Sequence, residues 1–292
     1  MAMIRENFTG FLEIVNKVFD VEMAKKPDYL PMLFNVEKST RSQETHQGIG
    51  NAGLMSLWNG EVDYDVLREG YAKTYRHIKY SKGLPLEREL FEDDEFGEIK
   101  RRVRKLTDSV YKTRQTHGAS VFNNAFTLAT GPDSVALCSA SHPISPVNAS
   151  VQNNAGVLAL DVGNLDTVMQ AMWNFKDDKE QIIGVNPDCL IVGNTYRRTA
   201  ERIAGSKAEP FVMENTINLD AGIKVVYNPW IQGSKWFVAD SMMMKDYLNW
   251  YDRRLPAIEQ ESEFDSEIVK FKVVGRWSFG WDAWQFVYGN EG

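Results

Sequence analysis

Apolar and polar positions along the chain alternate with different periods, and each change of period marks a change of element. Residues 1–27 carry Phe8, Phe11, Leu12, Val15 and Val18 at helical spacing, and Pro27 marks the stop. A short apolar stretch, YLPMLFNVEKS, comes next. STRSQETHQGIGNAG is polar and glycine-rich, which predicts a loop. From 54 to 80 the pattern predicts extended chain with thinly spread apolar residues. Asn59 and Gly60, between LMSLW and EVDYDV, predict a hairpin turn. YAKTYRHIKYS alternates, with Tyr71, Lys73, Tyr75, His77 and Lys79 on one side. A strand pair with so little core of its own must lean on something else.

The strongest period follows Pro85. LERELFEDDEFGEIKRRVRKLTDSVYKTRQTHGASVFNNAF reads as one long helix, with Phe96, Ile99, Val103, Leu106 and Val110 forming a single apolar stripe. Its first half is acidic, from Glu87 to Glu98, and Lys100, Arg101, Arg102, Arg104 and Lys105 follow, an order that complements the helix dipole. KRRVRK could be read as a nucleic-acid patch. Glu98 stands four residues before Arg102, so the run predicts a solvated, salt-bridged face instead. Farther on, VGNLDTVMQAMWNF predicts a helix and CLIVG a short buried strand. NTYRRTAERIAG predicts a helix capped by Asn194 or Thr195 and stopped by Gly205. GIKVVYNPW and KWFVAD predict a hairpin turning through 231–234, and IVKFKVVGRWSFGWDAWQFVYG alternates to the end. No repeat, low-complexity tract or linker interrupts the pattern.

Composition adds limits. The 292 residues suffice for one large domain or two modest ones, and 43% hydrophobic with 25% charged is a soluble balance. Aromatics reach 12%, many of them near the C-terminal end, and serve interfaces as well as cores. A net charge of −7 opposes phosphate binding over the chain as a whole. Two cysteines cannot build a disulfide framework and suit a reducing compartment. MAMIRENFTGF lacks the apolar core of a signal peptide, and no apolar run approaches the ~20 residues of a membrane helix, so no membrane partner is expected. The sequons at Asn7 and Asn148 then carry little meaning.

Candidate chemistry is sparse. ALCSASHP places Cys138 four residues before His142, which suggests a nucleophile and its base. Such partners normally come from distant parts of the chain, and Pro143 fixes a local turn in which Ser139 and Ser141 bond backbone groups. His46, His77, His117 and His142 are scattered, so neither a metal nor a catalytic site is expected. GIGNAG, Gly48 to Gly53, has dinucleotide-motif spacing but follows no apolar strand. No cofactor is implied, and the glycines predict a mobile arm.

The order of these stretches resembles the major capsid proteins of tailed bacteriophages. GLPLERELFEDDEFGEIKRRVRKL is similar to the start of that family's spine helix, and VFNNAF with GPDSVALCSASHP to the segment leading into its axial domain, most of all in Mu-like head subunits. PDCLIVGNTYRRTAERI and NLDAGIKVVYNPW with KWFVAD resemble axial-domain elements, and RWSFGWDAWQFVYG resembles the last peripheral strand. The resemblance implies an α+β chain of HK97-like fold. Its parts are an N-terminal arm (1–45), an extended loop (46–80), a peripheral domain with the spine helix (81–140), an axial domain (141–235) and C-terminal peripheral strands (236–292). It implies a structural, non-enzymatic head subunit of the virion. One chain forms the hexamers and pentamers of an icosahedral shell around double-stranded DNA, assembled in the host bacterial cytoplasm. Portal, decoration and scaffold proteins are implied partners, the scaffold being a separate protein or dispensed with, since no scaffolding region or protease site is evident. Leu54, Leu57, Trp58, Tyr64, Glu98 and Arg102 are the candidate intersubunit contacts. The rival readings are a nanocompartment shell of the same fold and a cytosolic thiol enzyme using Cys138.

Overall fold

Two sheets and one long helix carry the chain. The computed structural model describes residues 13, 15–87, 90, 96–206, 218, 220–262 and 268–292. A helix over 15–24 (α1) leads to the single turn α2 (Leu30–Leu33) and strand β1 (Asn35–Lys38). Val15 and Phe19 are buried, so α1 packs by its apolar side; Phe8, Phe11 and Leu12 lie outside the described residues. Strands β2 (Gln43–Ile49) and β3 (Glu69–Arg76) pair antiparallel as a ribbon of their own. A four-stranded sheet follows in the order β1-β11-β12-β4, built from β4 (Ile78–Glu87), β11 (Leu248–Ser262) and β12 (Ile268–Trp281) beside β1.

The long helix α3 spans Phe96–Asn123. Leu86 and Glu87, expected at its start, belong instead to β4. The cause is a period of two: Leu84 and Leu86 point into the core while Pro85 between them is exposed. Pro85 is tolerated because β4 is an edge strand and its missing N–H breaks no second ladder. Ile99, Val103, Leu106 and Val110 are buried, as the stripe predicted; the Phe96 side chain and residues 91–95 lie outside the description. They meet Val269, Phe271 and Val273, the inward alternation of β12, whose Lys270 and Lys272 point outward. Burial of such side chains stabilises by about 1.5–3 kcal/mol each.

One turn beyond Val110 the same stripe carries Arg114. Its guanidinium donates to both oxygens of Asp252 on β11, at 2.7 and 2.9 Å. Trp250 Nε1 donates to Asp252 Oδ1 at 3.0 Å, and the guanidinium lies over the Trp250 and Trp277 rings. The bidentate geometry and the extra donor let this ion pair sit buried between helix and sheet.

A five-stranded sheet has the order β7-β13-β10-β8-β9. Before it in the chain, β5 (His142–Pro143) and β6 (Val151–Gln152) pair antiparallel as a two-residue ladder. The strands of the five-stranded sheet are β7 (Ala155–Gly156), β8 (Cys189–Val192), β9 (Lys224–Tyr227), β10 (Trp236–Ala239) and β13 (Val287–Asn290). CLIV is buried throughout, as expected of a strand covered on both faces. Leu190 and Val192 face helices α4 (Val162–Trp173) and α5 (Arg197–Gly205). Cys189 and Ile191 face a second core shared with the end of α3 and with Trp250 and Trp277. A short helix, α6 (Ser241–Tyr247), is capped by Asp240, which accepts from the Met242 and Met243 N–H groups.

Three sequence expectations change here. β9 and β10 form no hairpin; β8, the most apolar strand, sits between them, parallel to β9 and antiparallel to β10. Asn194 and Thr195 do not cap α5, because they bond the carbonyls of Pro229 and Gly233 and tie that turn to the 228–233 loop. The division drawn at 236 does not follow the sheets. β10 and β13 join the five-stranded sheet while β11 and β12 join the other, so the last segment passes between them.

Candidate assembly surface

The β2–β3 ribbon stands on a polar hub. STRSQETHQGIGNAG, expected as loop, contains β2, because ladder hydrogen bonds to β3 make the strand without an apolar signal. On β3, Tyr71, Lys73 and Tyr75 turn inward with the adjoining His77, as the alternation predicted; Lys79, beyond the break at His77, is exposed. Asp282 collects the donors. Tyr75 Oη donates to its Oδ1, Asn249 Nδ2 donates to its Oδ2 at 2.8 Å, and His46 Nδ1 lies 2.6 Å from the same Oδ2. Tyr251 Oη is 3.0 Å from His46 Nε2, and the Tyr75, Tyr251 and His46 rings meet edge to face at 5.2–5.7 Å. Burial, reinforced by the Asp282 charge, pushes the Tyr75 hydroxyl pKa far above its ordinary value. His77 is buried between the hydroxyls of Ser39 and Ser278, each at 2.9 Å. That burial, and then the Arg276 charge, hold its pKa below the usual histidine range.

Glycines let the ribbon bend at its far end. The register shifts between Gln47 and Ile49. A Cβ on Gly48 would lie 2.8 Å from the Tyr71 carbonyl oxygen, and one on Gly70 would lie 3.0 Å from the Gly48 carbonyl carbon. Only glycine fits both sides of so close a backbone crossing.

Residues 50–68 form no ladder. The Asn59 turn exists, since Gly60 has φ +104° and the Glu61 N–H donates to Asn59 Oδ1. LMSLW and EVDYDV do not pair across it, however, so the hairpin expected at 54–68 is corrected to a ribbon at 43–76 with an irregular tip. With neither face buried, nothing fixes a register in the tip. Its apolar side chains point into solvent: Leu54 is 80% exposed, Leu57 93%, Trp58 69% and Tyr64 85%. Met55, Val62, Val66 and Leu67 are exposed beside them, so the stretch is rich in apolar residues and poor only in burial. So many large apolar side chains left in water on one short stretch are unusual on the surface of a lone subunit.

Below the tip the two sides of the loop meet. Asp65 accepts from the Gly53 N–H at 2.6 Å and pairs with Lys179. Asn51 donates its N–H to Asp178 Oδ1 at 2.9 Å and its side-chain amide to Asp177 Oδ2 at 3.2 Å. Glu98 and Arg102, the other candidates, lie on α3. There Glu98 pairs with Arg101 and Arg102, whose hydrogen bonds hold its carboxyl below the usual range, and neither candidate joins the loop.

Cys138 and His142 are not brought together as nucleophile and base. Cys138 is buried beside Gly289, and burial drives its thiol pKa up, opposite to a reactive cysteine. His142 bonds Asp133 Oδ2 at 2.6 Å through Nδ1 and stacks on Trp284 with centroids 4.5 Å apart. The Ser141 N–H donates to Ser139 Oγ at 3.2 Å, the local turn expected from sequence. A cleft of about 620 Å³ opens between the ribbon and residues 143–147, 177–178 and 282–285. Among the described residues no cluster of His, Cys, Asp and Glu could hold a metal, and no helix is long and apolar enough to cross a membrane.

The family model for phage capsid proteins matches residues 70–290, more than half of the chain. The chain belongs to that family. Solved structures agree on the fold of this capsid protein. The bacteriophage JBD30 capsid is similar at TM-score 0.56 and 13% identity, over 71% of this chain and 92% of that one. Microbacterium phage Oxtober96 matches at 0.55 and 13%, over 91% and 92%. A virus-like particle from Pyrococcus furiosus matches at 0.55 and 10%, over 96% and 99%. A search of curated proteins gives no match. The mixed helix-and-strand HK97-like fold and the structural role expected from the resemblance both stand, while the narrower Mu-like resemblance goes beyond the matched family.

Sequence reading found the exposed tip of this capsid protein and missed what supports it. Asp282, Asn249 and Tyr251 lie some 200 residues from His46, and Lys179 lies 114 residues from Asp65. Periodicity carries no trace of such pairs. Of the two glycines of the crossing, Gly48 was visible, but as a sign of mobility rather than of close approach.

Proposed function

We propose that this capsid protein assembles, as hexamers and pentamers of one chain, into a closed icosahedral head around double-stranded DNA, and that it has no enzymatic activity. The observation that carries this reading is the loop tip, where Leu54, Leu57, Trp58 and Tyr64 project from a ribbon anchored at its base. Apolar and aromatic anchors dominate protein interfaces, and leaving this many in water is costly for a subunit that stays alone. The tip is read as the clasp on a neighbouring subunit. Glu98 and Arg102, on the outer side of α3, are read as a second contact surface. The net charge of −7 suits a container whose packaged DNA must not adhere to its wall. Assembly in the host bacterial cytoplasm, with a portal, decoration proteins and any scaffold supplied separately, completes the proposal.

Expression of the full chain, followed by sedimentation and negative-stain microscopy, tests it. Closed particles of uniform size are the expected result. A protein that stays monomeric at high concentration, with or without other head proteins, overturns the reading. Particles from infected cells that hold protein cargo and no nucleic acid overturn the DNA part and favour a nanocompartment.

A further inference from the structure

We infer that the loop tip is closed at its neck and aimed by a polar latch on its own subunit, with Asp65 as the central group. The inference rests on the assembly reading above. Between Ile49 and Glu69 no ladder holds the chain, so an unsupported loop would sample many directions. The latch removes most of that freedom. Asp65 Oδ2 accepts from the Gly53 N–H and from Lys179 Nζ, which joins the two sides of the loop and ties both to the turn at 177–179. Asp178 accepts from the Asn51 N–H, and Asp177 accepts from its side-chain amide.

The receiving turn is itself rigid. Asp177 Oδ1 accepts from the N–H groups of Lys179 and Gln181, Glu180 has the positive φ of 62°, and Lys176 bridges to Ile182. Gly50 is part of the fit, since a Cβ there would lie 2.4 Å from Asp178 Oδ2. The hydrogen bonds from Lys179 and then from the Gly53 amide hold the Asp65 carboxyl below its ordinary range.

The latch leaves the apolar side chains uncovered, since Leu57 and Tyr64 remain 93% and 85% exposed with it closed. It therefore does not mask the tip. It preorganises the tip, so that a neighbouring subunit meets a loop already ordered and pays less conformational entropy on binding. A pair this exposed is screened by salt, so the ordering weakens as ionic strength rises.

The test uses the full chain and three variants, Asp65→Asn, Lys179→Met and Lys179→Arg. Subunits diluted below the assembly threshold are exposed to a protease that cuts at apolar residues, and cleavage within 54–64 is timed. Assembly half-time is then read by light scattering, and thermal midpoints serve as the folding control. Asp65→Asn and Lys179→Met are each expected to be cut roughly two- to fivefold faster than the parent chain and to assemble roughly two- to fivefold more slowly, the range an exposed pair supplies. Their midpoints stay unchanged, Lys179→Arg behaves as the parent, and 0.5 M salt narrows every difference. Unchanged cleavage in both charge-removing variants overturns the latch, and faster assembly overturns its preorganising role. If cleavage responds while the parent chain forms no particles, the latch stands and the shell reading falls.

Discussion

The stripe of α3 and the tip of the loop are both apolar, yet they meet opposite fates. Ile99, Val103, Leu106 and Val110 are at most 8% exposed against β12 and α1. Leu54, Leu57, Trp58 and Tyr64 are at least 69% exposed. The difference lies in what each stretch can satisfy by itself. A helix closes its own backbone hydrogen bonds and presents its apolar residues on one side, so a single sheet can cover them. The tip has no ladder and no period, so no face of this subunit matches it. Apolar content alone does not report burial; apolar content on a self-satisfied backbone does. The helix serves the subunit, and on the proposed reading the tip serves the neighbour.

Removal of the tip is the most severe way to break the comparison. Deleting residues 54–64 is expected to leave the thermal midpoint within error, because nothing in the core contacts them, while sedimentation and negative-stain microscopy show no closed particles. A deleted chain that unfolds would place the tip in the fold, beside the helix stripe.

Arg114→Ala attacks the other side. It leaves Asp252 buried and uncompensated, a change that costs roughly 3–5 kcal/mol. Chemical denaturation should read that loss. A loss well under 1 kcal/mol would mean that the helix is held by its apolar stripe alone.

Acid sharpens the contrast between buried and exposed polar groups. His77 at the ribbon base and His117 beside Trp277, whose Nε1 donates to His117 Nδ1, both have pKa values lowered, in each case first by burial. The unfolded chain therefore binds the extra protons first. Stability is full above the unfolded value near ~6.5 and falls as pH drops through it, levelling only below the folded values. Melting at pH 7.5 and 5.5 should show a lower midpoint in acid, and His77→Gln should flatten that slope. A slope that survives in His77→Gln and in the matching His117 variant would assign it elsewhere.

The smallest effect is expected on the exposed face of α3. Glu98→Gln removes pairs with Arg101 and Arg102 that water already screens, so the subunit midpoint should not move measurably. If assembly is impaired with the midpoint unchanged, this face is an intersubunit contact like the tip.

Local pattern by itself determined much of this protein. The helix stripe from Ile99 to Val110, the doubly covered strand Cys189–Val192 and the alternation of β12 could each be read from spacing, because each buries residues at the period of its own backbone. The local turn at Ser139–Ser141 was legible from its own serines and Pro143, and the tip's want of a core from the absence of any covering stripe. Tertiary structure decided the rest. It paired the polar strand β2 with β3, placed β8 between β9 and β10, and sent β13 back to the five-stranded sheet. It gathered His46, Tyr75, Asn249 and Tyr251 around Asp282 and set Lys179 against Asp65. These are contacts between polar groups far apart in the chain. A hydrogen bond constrains its two partners and leaves no period in the residues around them, so only the folded path of the backbone brings them together.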